Sequence, residues 1–229
     1  MLDDLSGAST VYGMFSEQAR RLGVCLLALV ALSGISACSS STKTPPTPGN
    51  ASQYQNLPDA PGTYKLQQTG PGGGVIFYAA RKPFRCGPDL TGVCHYLEVA
   101  PFDSEVERGW SSEDNASRDV AGSEGSAIGT GWSNTIAIIT QGNTDPDVSA
   151  AAYADAYEHN GYSDWYLPSR DELHELTITR EVIGGFTMET YWSSTERDGG
   201  RVWYQNFLNG FQFLDGKSEL YLVRPIRAF

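Results

Sequence analysis

Gly161-Tyr162-Ser163-Asp164-Trp165-Tyr166-Leu167-Pro168-Ser169-Arg170-Asp171-Glu172-Leu173 packs a strand, a corner and a helix start into thirteen residues. The aromatic and polar run after Gly161 reads as a short strand, and Pro168 holds Leu167 extended and stops it. Ser169 followed three residues later by Glu172 is a capping box, in which each side chain answers an unpaired backbone N–H at the helix start. Leu173, Leu176 and Thr177 then give that helix an inward face.

On the C-terminal side, Gly184-Gly185 ends the helix and strand-turn units follow. Tyr191–Glu196 turns at Asp198-Gly199-Gly200 into Val202–Phe207, and Asn209-Gly210 is a hairpin signal before Phe211–Leu214. Tyr221–Phe229 supplies a further strand, placed by Pro225 on an edge or at a bulge. On the N-terminal side, Thr63–Gln67 and Val75–Ala79 read as strands joined by a turn at Gly70–Gly74, with a third at Tyr96–Ala100 ended by Pro101. The glycine cluster lacks the Gly-Lys-Ser/Thr ending of a phosphate loop. Residues 102–127 read as a long surface loop ordered by Trp110. Trp132–Gln141 reads as a helix, and Asp145 as the cap of a second one with Pro146 as its first residue and Gly161 at its end. Asp145 and Asp147 are also where calcium would be sought, but no loop has the alternating ligands and closing Glu of an EF-hand, and capping is the better account. No cofactor is expected. The order is that of an α+β domain with antiparallel strands and two to three helices.

The chain has 229 residues, 40% of them hydrophobic, which suits one globular domain with accessory segments. Arg20-Arg21, the apolar run Leu22–Leu32, small residues and Cys38 form an export-signal layout, with Met14 as an alternative start. Ile35-Ser36-Ala37-Cys38 looks like a lipobox, so residues 1–37 are expected to be cleaved and Cys38 to carry lipid, anchoring the protein in the bacterial outer membrane. Residues 38–60, with Pro45, Pro46, Pro48 and Pro58, read as a solvated tether, and 61–229 as the head. The net charge of −11 argues against nucleic acid, because a binder needs a cationic surface to release condensed counterions.

With Cys25 in the leader and Cys38 lipidated, Cys86 and Cys94 remain, and an oxidising envelope favours their pairing; a redox or metal role is the alternative. Arg81, Lys82 and Arg85 make the densest basic cluster, either a solvated edge or an anion patch. His95, His159 and His174 offer no convincing nucleophile–base pair, and the separation of Glu172 from Asp164 or Glu196 decides whether they resemble a glycosidase pair.

Several motifs in order resemble the Lcl C-terminal domain family, named for the C-terminal domain of a bacterial collagen-like adhesin. They are Gly70-Pro71 with Gly73–Tyr78, Ala127–Gly131, Gly161–Ser169, Tyr191–Glu196, Trp203–Phe207 and Val223–Phe229. The Leu167-Pro168-Ser169-x-x-Glu172 corner also looks like a segment of formylglycine-generating enzymes, which implies a C-type-lectin-like, sulfatase-modifying-factor-like fold. Those enzymes oxidise at a cysteine-bound metal, and no mature cysteine is left here for that role. Resemblance to the adhesin domain implies binding of host or matrix polysaccharide, sulfated glycans included, whereas a domain this acidic repels polyanions at long range. A surface module binding carbohydrate is therefore expected, with a structural envelope lipoprotein as the alternative.

The expected ligand face follows from strand alternation. Trp192, Ser194 and Glu196 share one side of their strand, Asn206 lies on the neighbouring strand, and Asp164 and Trp165 come from the corner. Aromatic surface beside carboxylate and amide groups suits a sugar. Arg224 and Arg227 either join that face or neutralise Asp164 and Glu196 as buried pairs.

Overall fold

The computed structural model describes residues 64–229; the expected leader, the expected lipid site Cys38 and the expected tether lie outside the described residues. The head is α+β, with eight strands and three α-helices among those residues. Strands β1 (Val75–Cys86), β2 (Gly92–Val99) and β8 (Ile226–Ala228) form one antiparallel sheet in the order β1-β2-β8. A second sheet has the order β3-β7-β4-β5-β6, built from β3 (Val106–Gly109), β4 (Thr190–Asp198), β5 (Arg201–Asn206), β6 (Gln212–Gly216) and β7 (Leu220–Val223). Its pairings are antiparallel except that β4 meets β7 in parallel. Helices α1 (Gly131–Thr140), α2 (Ala150–Ala156) and α3 (Arg170–Ile183) complete it.

Two apolar clusters lie on opposite faces of the five-stranded sheet, and neighbouring residues of β4 are divided between them. Tyr191 joins Phe77, Leu97, Leu173, Leu176 and Phe207 in the cluster shared with the first sheet and α3. Trp192 joins Trp110, Ile138, Ala150, Ala154, Val202 and Val223 on the side of α1 and α2. A strand buried on both faces carries no apolar/polar alternation to say which side is wet.

The corner is built as the sequence predicts. Tyr166 pairs with Ile226 through two backbone hydrogen bonds of 2.9 and 3.0 Å, and both halves of the Ser169–Glu172 capping box are present. Leu173, Leu176 and Thr177 are the buried apolar stripe of α3. Glu172 is itself fully buried, and beyond the cap its carboxylate accepts from Gly129 N at 2.8 Å and the Tyr166 hydroxyl at 3.1 Å. Gly129 has φ +94°, and a Cβ there would stand 1.9 Å from the Arg85 carbonyl oxygen, so no other residue fits beneath this cap.

Four expectations are corrected. Tyr64–Gln67 is not a strand: Leu66 and Gln67 turn, with Gln67 at φ 70°. The segment 102–127 is not all loop, since it holds β3, and Trp110 is wholly buried with its indole N–H donating to Ser193 O at 2.8 Å. Helix α2 starts only at Ala150: Asp145 does accept from Asp147 N at 2.9 Å as a cap would, but the single turn it opens is broken at the extended Ser149 (φ −99°, ψ 129°). It also stops at Ala156, and Gly161 (φ +81°) instead turns a small hairpin bridged by His159 and Tyr162. The final expected strand divides at Arg224-Pro225, where the missing proline N–H interrupts the ladder, into β7 of one sheet and β8 of the other.

Cys86 and Cys94 form the expected disulfide across the β1–β2 hairpin, and both are buried. On the chain-entropy account a loop of this size is worth about 2–3 kcal/mol. Replacing both cysteines by serine is therefore expected to lower the melting temperature by about 5–10 °C at this domain size. A thermal shift within error of zero would show that the bridge does not constrain the chain. Among the described residues no helix is long and apolar enough to cross a membrane.

Candidate functional site

Most of the residues that alternation placed on a ligand face are interior. Trp165, Trp192, Ser194, Glu196, Arg224 and Arg227 are all buried, at 0–6% exposure, because α1, α2 and the first sheet cover what reads as open surface. Ser194 accepts from the Asn134 side-chain amide at 3.3 Å, and the Trp192 indole N–H donates to Arg108 O at 3.0 Å. Asn206 stays half-buried, its side-chain oxygen accepting from Leu208 N and Asn209 N at 3.0 and 3.1 Å to hold the β5–β6 turn.

The arginines are structural pairs, but with partners only half anticipated. Arg227 binds Glu98 at 2.9 Å as well as Asp164, and its guanidinium lies 3.9 Å from the Tyr162 ring centroid. Arg224 pairs with Glu105 at 3.1 Å, neither with Asp164 nor with Glu196. Glu196 is neutralised by Lys217 instead, and it also accepts from Val120 N at 2.8 Å. Glu98 receives Gly72 N and Gly74 N at 3.0 and 3.2 Å, and a Cβ at Gly74 would stand 2.4 Å from Val99 O, which explains the glycine turn. Asp164, with a side chain 30% exposed, is the one predicted carboxylate still near solvent.

What remains exposed is an aromatic row beyond the covered half of the five-stranded sheet. Register generates it: Trp192 faces Tyr204 across β4–β5, and Tyr204 faces Phe213 across β5–β6. The Tyr204 and Phe213 centroids are 5.7 Å apart, Tyr204 and Tyr221 4.9 Å, and Trp192 and Tyr221 4.4 Å. Phe211 extends the row 6.4 Å past Phe213. The inner end, Trp192, is buried, Tyr204 and Tyr221 are half-buried, and Phe213 and Phe211 are exposed on the edge strand and its turn at 44% and 63%. The Tyr221 hydroxyl donates to Asp215 at 2.5 Å. Burial, with the Asp215 carboxylate adding to it, holds the Tyr204 and Tyr221 hydroxyls above the usual phenol range, so both stay protonated.

Alternation read across the Asn209-Gly210 turn would have found this row, because Phe211, Phe213 and Asp215 share one face opposite Tyr204. Elsewhere, Glu158–Ser163 line an open cleft of about 330 Å³ whose Tyr162 wall rests on Arg227. Arg81 and Lys82 are exposed on the bulged part of β1, and Arg85 is tied to Thr91 O at 3.0 Å. No three His, Cys, Asp or Glu side chains gather as a metal site among the described residues.

Fold and surface together define an α+β domain with a charge-paired interior and an outward aromatic face. The chain belongs to the Lcl C-terminal domain family, whose description matches residues 103–227. No match is found among curated proteins. Among solved structures the chain is similar to a fimbrial protein from Bacteroides ovatus ATCC 8483, at 15% identity and a TM-score of 0.41. That similarity covers 72% of this chain and 46% of the fimbrial protein, so the chain spans less than half of that protein's length.

Proposed function

We propose that the head is a non-enzymatic surface module that binds carbohydrate on the Tyr204–Phe213–Tyr221 face, and that lipid on Cys38 anchors it in the outer membrane. The observation that carries the reading is the row of partly exposed rings with Asp215 and two tyrosine hydroxyls among them. Flat rings stack on the apolar C–H face of a sugar, while the polar groups take its hydroxyls. The C-type-lectin-like architecture implied by the Leu167-Pro168-Ser169 corner is part of the same proposal.

Phe213 is the residue to remove, since it is exposed and sits on an edge strand. Binding of the full-length protein to a panel of immobilised glycans is expected to fall at least about tenfold in Phe213→Ala, the loss typical of truncating an aromatic anchor. Its melting temperature should stay within a few degrees of wild type. Wild-type protein that retains no glycan of any kind would favour the structural envelope role instead. Mass spectrometry of the native N-terminus should find acylated Cys38, and an unacylated start would remove the anchor from the proposal.

A further inference from the structure

The charges around the aromatic row select among carbohydrates. Among the described residues, the two cations that pack directly against the rings on this face, Arg108 and Lys217, are already engaged. Arg108, cross-strand partner of Tyr221, is held by Asp147 at 3.3 Å and packs over the Tyr153 ring. Lys217 is buried against Glu196, and Arg201, on the opposite face of β5, pairs with Asp198 at 2.6 Å. Asp215 and Glu219, by contrast, meet no cation among the described residues, and Glu219 is exposed. The surface beside the rings is therefore net negative, within a chain whose formal charge is −11.

Hydrogen-bond capacity points the same way. Asp215 accepts from the Tyr221 hydroxyl on one oxygen and from Gly216 N at 2.8 Å on the other, which leaves further lone pairs on each. An ionised carboxylate only accepts, so it needs a ligand that donates. A sugar hydroxyl donates, whereas a sulfate or uronate oxygen would set acceptor against acceptor as well as anion against anion. The rings run from β7 to the free edge at β6, so they offer a strip for consecutive sugar units and not a closed pocket.

We propose that the ligand of this face is an uncharged glycan chain, lying across Tyr204 and Phe213 with its hydroxyls on Asp215, and that sulfated and uronic-acid polymers are excluded. The inference rests on the carbohydrate reading above and narrows it. The test is calorimetric titration of the full-length protein with two probes: neutral oligosaccharides cut from β-glucan and from mannan, and heparin oligosaccharides of matched length.

At least one neutral oligosaccharide is expected to bind, at least about tenfold more tightly than heparin, with the loss on Phe213→Ala again about tenfold or more. Asp215→Asn should weaken the neutral ligand severalfold, because the amide returns a donor where the carboxylate offers only acceptors. Heparin binding as tightly as the neutral chains, or more tightly, would overturn the inference while leaving the carbohydrate reading intact. No binding of either probe or of any other glycan would remove the reading itself. Neutral binding unchanged in folded Phe213→Ala would move the site off this face.

Discussion

Replacing Lys217 by methionine is expected to lower the unfolding free energy by about 3–5 kcal/mol, the usual cost of stranding a buried charge. Lys217 is 1% exposed, and its ammonium is bonded to Glu196 and to Arg118 O at 2.6 Å. It also lies 4.9 Å from the Trp110 ring centroid, so indole and carboxylate share one cation. Methionine fills a similar volume but leaves Glu196, 4% exposed, with only Val120 N and the Ser123 hydroxyl. Urea denaturation of Lys217→Met, Glu196→Gln and the double variant separates the charge from the shape. The double variant should be more stable than Lys217→Met alone, since it removes both charges. Equal stability of wild type and Lys217→Met would mean that the pair is solvated.

A loss of similar size, again about 3–5 kcal/mol, is expected for Glu98→Gln. Glu98 is fully buried and its oxygens receive two glycine N–H groups and the Arg227 guanidinium. A glutamine can turn only one oxygen toward those donors, and its amide hydrogens would then confront another of them. Arg227 would keep Asp164, so the damage should concentrate in the turn at Gly70–Gly74. Hydrogen exchange should show Gly72 and Gly74 amides losing protection before those of β2; uniform protection across the variant would contradict the assignment.

How far the sequence speaks differs from element to element. The Ser169–Glu172 cap and the Asn209-Gly210 turn are local codes, settled by residues a few positions apart, and the Cys86–Cys94 bridge follows from the count of remaining cysteines; each is present in the fold. Strand β3 was hidden because Val106-Glu107-Arg108-Gly109 is short and charged, and pairing with β7 more than a hundred residues away makes it a strand. Lys217 sits in Asp215-Gly216-Lys217-Ser218, which reads as a polar turn; only tertiary packing places it over Trp110. Alternation correctly set Trp192 apart from Tyr191, but which layer covers which face is not written in the period of a strand. The same gap turned Trp192 from surface into core, whereas Phe213, an exposed member of its row, is reachable by alternation across the Asn209-Gly210 turn.

The division of the chain at Arg224-Pro225 makes completion of the first sheet depend on the three residues of β8. β2 finds its second neighbour only in β8, so Leu97 pairs with Ala228 and the buried Glu98 with Arg227. A ribosome that has delivered everything up to β7 has delivered the whole five-stranded sheet but only a two-stranded hairpin of the other, with Glu98 still lacking its cation. Such a hairpin is marginal in water by itself. β2 and β8 lie more than a hundred residues apart, a non-local pairing of the kind that generally slows folding. A chain stopped at Val223 would keep every strand of the five-stranded sheet but lose the third strand of the other, together with the cation of Glu98.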